Sequence, residues 1–212
     1  MRKALVVGGS NGIGLSIATE LARNKDFELI YIVDKNPILP EYENKKFSFR
    51  QFDLKSKDYS IFDNFYDIDT LMITAGFGRL ALFRDIEEQH IIDSFNVNTI
   101  SALRLINKFY PKLEAEEDFY CGVMVSIAGY MSSPFFSVYG ATKAALKIFI
   151  ESVNVELEGL AKEIISHLEA KDDLYIPQYE EVFKQVLQRY HDDFRAEGLH
   201  SYEYKLKSGR MK

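Results

Sequence analysis

The hydrophobic positions of this chain change period repeatedly, and the changes mark out alternating strands and helices. Within residues 3–9 (KALVVGG), Ala4 to Val7 is continuously apolar, as in a strand of a parallel sheet buried on both faces. A helix over Leu15 to Arg23 follows, then a second apolar run, Phe27 to Val33. Lys46 to Phe52 alternates Phe47 and Phe49 with Ser48 and Arg50, the pattern of a strand nearer the sheet edge. Asp67 and Asp69 read as part of a solvated loop ahead of a fourth strand, Thr70 to Ala75. Glu87 to Leu113 predicts a long central helix, with Phe95, Val97, Ile100, Leu103, Leu105 and Ile106 on its apolar faces. A fifth apolar run, Val123 to Val125, delivers Ser126, and the Ala-rich run from Ala141 to Ile150 predicts a helix reaching about Glu158. Gly159 to Glu169 is again helical in pattern, Leu174 to Pro177 suits a last strand, and Glu180 to Phe194 is an amphipathic helix. The basic tail, Tyr202 to Lys212, predicts a solvated surface segment. Strands alternating with helices predict a doubly wound α/β domain of the Rossmann type, one domain over residues 1–212.

Two stretches carry candidate chemistry. In the first, a strand runs through Gly8, Gly9, Ser10, Asn11, Gly12, Ile13 and Gly14 into a helix. Glycines there let the backbone turn sharply, and a helix N-terminus offers unpaired N–H groups and a positive dipole end to a pyrophosphate. An ordinary tight turn is the plainer alternative. Asp34, at the end of the second strand, is placed to bond ribose hydroxyls and to repel a 2′-phosphate, or else simply opens the turn to Asn36-Pro37. In the second stretch, Tyr139 and Lys143 stand four residues apart and so share a helix face. Free Tyr and Lys titrate near ~10 and ~10.4. An ammonium ~5 Å from a phenol, at an effective dielectric of ~20, favours phenolate by roughly 3 kcal/mol, about two pK units. That suits a general acid/base near neutral pH. Such a pair also arises by chance, and Ser126 and the N-terminal glycines are what add weight to it. Asn98 is a poor helix former held between Val97 and Ile100.

The bulk properties narrow the partners. At 212 residues the chain suits one full-sized core, and a net charge of −6 argues against nucleic acid or an anionic membrane. The first apolar run, broken at Gly8, is too short for a signal peptide or a membrane span. Cys121 is the single cysteine, which points to a reducing, cytoplasmic setting. His90, His167, His191 and His200 lack ligand spacing, so no metal site is expected.

Together, the glycine corner, Asn98, Ser126 and the Tyr139–Lys143 pair resemble the short-chain dehydrogenase/reductase family over residues 1 to about 158. The resemblance implies NAD(P)-dependent interconversion of a secondary alcohol and a ketone. Tyr139 would exchange the proton with the substrate oxygen, Ser126 would position that oxygen, and Lys143 would bond the nicotinamide ribose and lower the phenol pKa. Asn98 would hold a water through its backbone and link Lys143 to solvent. The implied cofactor contacts are Gly8, Ser10, Asn11, Gly12, Ile13, Gly14, Asp34, Asp53, Leu54, Ala75, Gly76, Tyr139 and Lys143, with Asp53 on the adenine. Asp34, and the absence of a cation at Asn11, favour NAD, with Lys35 leaving NADP as the alternative. The implied partners are a small carbonyl or alcohol substrate and further copies of the chain, as a dimer or tetramer through residues 87–113 and 139–158. Tyr130, Met131, Phe135, Phe136, Phe77 and Phe83 would line an apolar substrate pocket, or serve only as packing. Pro111 falls where helices of the family commonly end.

The sequence also departs from that pattern. Val7 replaces a Thr in TGxxxGIG, Thr74 replaces a sheet-bracing Asn, and no proline is followed by glycine, so the sixth strand with its Pro-Gly segment is missing. Either that segment is deleted from the protein or residues are left out of this sequence, with Gly159 as the expected seam. The competing functions are an NAD(H)-binding or scaffolding protein that has lost its substrate half, and a structural oligomer with an empty pocket.

Overall fold

The structure is a computed structural model describing residues 1–115, 118–161, 184–193, 203 and 207. The chain divides into two compact units, Met1–Gly76 with Asn96–Met124, and Phe77–Phe95 with Val125–Lys212.

The first unit holds a parallel sheet of β1 (Arg2–Val7), β2 (Phe27–Asp34), β3 (Phe47–Gln51), β4 (Thr70–Ile73) and β5 (Tyr120–Val123), in the order β3-β2-β1-β4-β5. The central strand β1 is fully enclosed from Ala4 to Val7, which explains its unbroken apolar run. Ala4 and Val6 join Ile30 and Ile32 against Ala18 and Ala22 of α1 (Gly12–Arg23). Tyr31, between those isoleucines, points to the other face, where its ring meets Phe65 at 4.9 Å. That face is covered by a 3-10 segment, Ser60–Phe65, and by α3 (Ser101–Ala115), with Phe62, Phe65, Leu105 and Phe109 buried. Truncating Phe62 or Phe109 to Ala would remove about 3–5 kcal/mol. Helical segments thus cover both faces, as doubly winding requires. The chain leaves β1 toward β2 and β3, then returns to β4 on the opposite side, so the loops after β1 and β4 diverge at a switch point.

The second unit holds α2 (Glu88–Phe95), a 3-10 turn at Ile127–Gly129, α4 (Ser137–Ala161) and α5 (Lys184–Asp192). Among the described residues, no helix is long and apolar enough to cross a membrane.

Several expectations need correction. The helix after the glycine corner begins at Gly12, not Leu15, because first-turn residues need no intrahelical acceptor and glycine is tolerated there. The expected central helix is helical without a break from Glu88 to Ala115 but not regular: a π-turn, Asn96–Ile100, lies between α2 and α3. Pro111 ends nothing, since α3 runs on to Ala115. Its last turn is fastened by buried Lys112, whose Nζ donates to the Tyr66 carbonyl at 3.1 Å and lies over the Tyr66 and Phe119 rings. Asp67 and Asp69 do lie in a loop, with Asp67 exposed, but they also have partners: Asp69 accepts the Lys3 N–H at 2.8 Å and Asp67 pairs with Lys3 Nζ at 2.5 Å, tying down the start of β1. β5 ends at Val123 rather than Val125, although the Met124 N–H still reaches the Ile73 carbonyl at 2.8 Å. α4 passes through Gly159. Among the described residues there is no sixth strand. The strand expected at 174–177, the helical residues 162–169 and nearly all of the tail from 202 to 212 lie outside the described residues.

Candidate active site

In the first unit, the glycine corner is shaped by side chains that are missing. Gly8 has φ +86°, and a Cβ there would stand 2.5 Å from the Ala75 backbone, so the loops after β1 and β4 touch through glycine. A Cβ on Gly14 would lie 2.1 Å from the Gly8 carbonyl and 2.5 Å from Thr74 Oγ1. Thr74 Oγ1 itself lies 3.0 Å from the Val7 carbonyl and 3.1 Å from that of Gly8, bracing β4 against the corner. Gly12 differs: its φ is +53°, but a Cβ would meet nothing within 4 Å. The first turn of α1 carries no acidic residue and no side-chain cap from Asn11, whose amide bonds Ser10 Oγ at 3.3 Å instead. Open space before an uncapped, dipole-positive helix end fits a pyrophosphate. Ile13 is exposed beside it and Ser10 is buried.

The Asp34 carboxylate accepts the Ser10 N–H at 3.2 Å through Oδ2 and the Asn36 N–H at 3.3 Å through Oδ1. It therefore opens the turn toward Pro37 and also ties β2 to the glycine corner. Asp53, exposed, accepts the Lys55 N–H at 2.9 Å, with half-buried Leu54 beside it. Ala75 and Gly76 follow β4 at the switch point, with the Ala75 N–H on the Val7 carbonyl at 3.1 Å.

The second unit brings Ser126, Tyr139 and Lys143 into one neighbourhood. Tyr139 and Lys143 sit one turn apart in α4, on the same face. Ser126 caps the 3-10 turn behind it, accepting the Ala128 N–H at 3.2 Å, and its own O–H remains a donor. That turn is pressed onto α4 at the same level: a Cβ on Gly129 would lie 2.7 Å from the Lys143 carbonyl, and one on Gly140 would lie 3.1 Å from the Ala128 carbonyl. Lys143 is buried, and burial pushes its ammonium down to about 8, so it keeps its proton at neutral pH but holds it less firmly than an exposed lysine. Tyr139 is backed by Gly78, where a Cβ would come within 3.0 Å of the ring, and by Phe136 at 5.4 Å between ring centroids.

Residues 2–164 match the short chain dehydrogenase family. The chain belongs to that family. Dehydrogenase RED2 of Cochliobolus heterostrophus is 31% identical over 161 residues, an alignment covering 72% of this chain and 60% of that protein. Human retinol dehydrogenase 8 is 27% identical over 169 residues, covering 74% of this chain and 54% of that one. Among solved structures, a short chain dehydrogenase/reductase family protein superposes with a TM-score of 0.67 at 24% identity, over 76% of this chain and 70% of the other. The chain thus spans roughly half to three fifths of the length of these curated relatives.

Asn98 lies in the π-turn, 1% exposed. A π-turn displaces carbonyls from the regular ladder, which accounts for a poor helix former being placed there. Thr74 takes up bracing with its hydroxyl in place of an amide. The sequence reading found the glycine corner but missed the glycines of the second unit that act through backbone shape. Gly129 and Gly140 permit close approaches around Lys143 and the turn after Ser126, and their place inside the Ser126–Lys143 stretch was the available signal. Phe135, one of the expected pocket aromatics, has a backbone conformation that the sequence did not announce. It follows Pro134 in a turn closed by the Phe136 N–H on the Ser133 carbonyl at 3.1 Å, and its φ is +69°. Its ring is buried and its carbonyl accepts the Ala81 N–H at 3.2 Å. Of the expected pocket aromatics, Phe83 is 63% exposed and Phe77 packs edge-on against His90 at 5.5 Å.

Proposed function

We propose that the chain, acting as one dinucleotide-binding domain over residues 1–212, is an oxidoreductase that interconverts a secondary alcohol and a ketone. The observation carrying this reading is the pairing of Tyr139 with buried Lys143 on one face of α4, beneath a glycine-clamped turn headed by Ser126. Tyr139 exchanges a proton with the substrate oxygen, to which Ser126 donates its O–H. Lys143 sets a buried ammonium one turn from the Tyr139 phenol, on the same face of α4. Asn98 completes the route by which the proton reaches solvent. When bound, a nicotinamide dinucleotide supplies the hydride acceptor or donor. Gly8, Ser10, Asn11, Gly12, Ile13 and Gly14 hold its pyrophosphate, Asp53 and Leu54 its adenine, and Ala75 and Gly76 flank it. Tyr139 and Lys143 reach its nicotinamide ribose. Asp34 places a carboxylate at the end of β2, which favours NAD over NADP.

The aromatic loop bearing Tyr130, Phe135 and Phe136 suits an apolar substrate, and one relative is named for retinol. The protein works in the cytoplasm as a homodimer or tetramer through residues 87–113 and 139–158. Nicotinamide absorbance during incubation with NADH or NADPH and a panel of ketones and aldehydes, retinal included, tests the activity. Calorimetry with the same dinucleotides runs alongside. Turnover supports the reading, whereas binding without turnover across the panel would make the chain a dinucleotide-binding protein only.

A further inference from the structure

The loop carrying Asp53 and Leu54 leaves β3 with no regular structure until the 3-10 segment at Ser60. Loops of this kind sample many conformations unless their carbonyls are held. Here they are held from one side chain on α3. Arg104 Nη1 donates to the Ser56 carbonyl at 2.9 Å and Nη2 to the Lys57 carbonyl at 2.6 Å. The guanidinium carbon lies 3.5 Å from the centre of the Tyr59 ring. Tyr59 in turn donates its O–H to the Leu54 carbonyl at 2.7 Å. Burial pushes that phenol up to about 12, so it remains a donor throughout the neutral range. The ring is fixed from below by Phe52 and Phe62, at 5.2 and 5.3 Å between centroids. Three carbonyls of one short loop are thus tied, directly or through Tyr59, to a single planar cation resting on the core. A lysine is a poor substitute, because a point charge on a flexible stem cannot serve two carbonyls and stack at once.

We infer that Arg104 is a positioning residue for the adenine end of the dinucleotide, setting the shape of the loop from Asp53 to Tyr59 without touching the ligand. This rests on the reading of Asp53 and Leu54 as adenine contacts under the proposed function. A loop released from the clamp spends less time in the shape the ligand needs, and apparent affinity falls by that fraction.

The test is calorimetry on the full chain with NADH, or NADPH if that binds more tightly, and with ADP-ribose, which lacks the nicotinamide. The variants are Arg104→Lys and Tyr59→Phe, the second keeping the ring under the guanidinium while removing the bond to Leu54. Arg104→Lys is expected to weaken dinucleotide and ADP-ribose alike by about tenfold, and Tyr59→Phe by about threefold. Amide hydrogen exchange should quicken over residues 54–58 and stay unchanged at the glycine corner. Unchanged affinities in a folded variant would overturn the inference, as would weakening of the dinucleotide but not of ADP-ribose, or exchange quickened throughout. Should Arg104→Lys fail to fold, Tyr59→Phe decides alone. If the unaltered chain takes up neither dinucleotide, the proposed function fails and this inference with it; if it binds and the variants match it, only the inference fails.

Discussion

The glycine corner of the first unit and the Ser126–Lys143 region of the second are built by opposite means. The corner is a set of absences. Gly8 and Gly14 stand where a Cβ would collide with backbone, and the polar groups left to a ligand are main-chain N–H groups at the head of α1. The other region is a set of side chains, each placed by the element beneath it and drawn together because Gly129 and Gly140 let a turn lie against a helix. A site made of backbone tolerates changes of side-chain chemistry but not of volume. One made of side chains does the reverse.

That contrast can be broken experimentally. The largest effect is expected from Tyr139→Phe, which removes one oxygen and almost no volume: turnover should fall by about 10²–10⁴ while dinucleotide affinity holds. Steady-state rates beside calorimetry give both numbers, and retained turnover would take the phenol out of its role. Next is Gly14→Ala, whose methyl meets the Gly8 carbonyl. A loss of about 3 kcal/mol in denaturant unfolding is expected, with dinucleotide binding lost as well.

The pH dependence of Lys143 comes third. Its ordinary pKa of 10.5 falls to about 8 in the folded chain. Below pH 8 both states hold the proton and the full burial penalty is present. Between about 8 and 10.5 the folded state sheds its proton first and stability rises. Lys143→Met lacks this gain, so its stability relative to the unaltered chain should fall by up to about 3 kcal/mol across that window, read from urea melts at stepped pH. A flat difference would mean that the ammonium is not desolvated. The smallest effect belongs to Gly12→Ala, where only the backbone preference opposes the methyl: about 1–2 kcal/mol on melting, far less than at Gly14 if volume is what matters.

The parts legible beforehand were those that residue type encodes. The apolar Ala4–Val7 run marks a strand covered on both faces, and Tyr139 and Lys143 carry their spacing in the chain itself. The π-turn at Asn96–Ile100 was not legible, because a single extra residue in a helix leaves the apolar pattern nearly intact. The 3-10 segment covering one face of the sheet was missed because six residues are too few to show a period. Asp69 reads as solvated until its carboxylate is seen on the Lys3 N–H, a contact between residues far apart in sequence. Ser126 showed its type but not its second task of capping the turn that follows.

Phe135 carries a last lesson about permitted variation. A side chain in left-handed backbone costs about 1–2 kcal/mol, while enclosing an aromatic ring returns about 1.5–3 kcal/mol, so the ring outweighs the twist by a narrow margin. Glycine escapes the first term, asparagine and aspartate lessen it, and a large unbranched or aromatic apolar side chain offsets it with the second. Branching at Cβ raises the first term most, so a library randomised at this one codon and selected for folding should be depleted of valine, isoleucine and threonine.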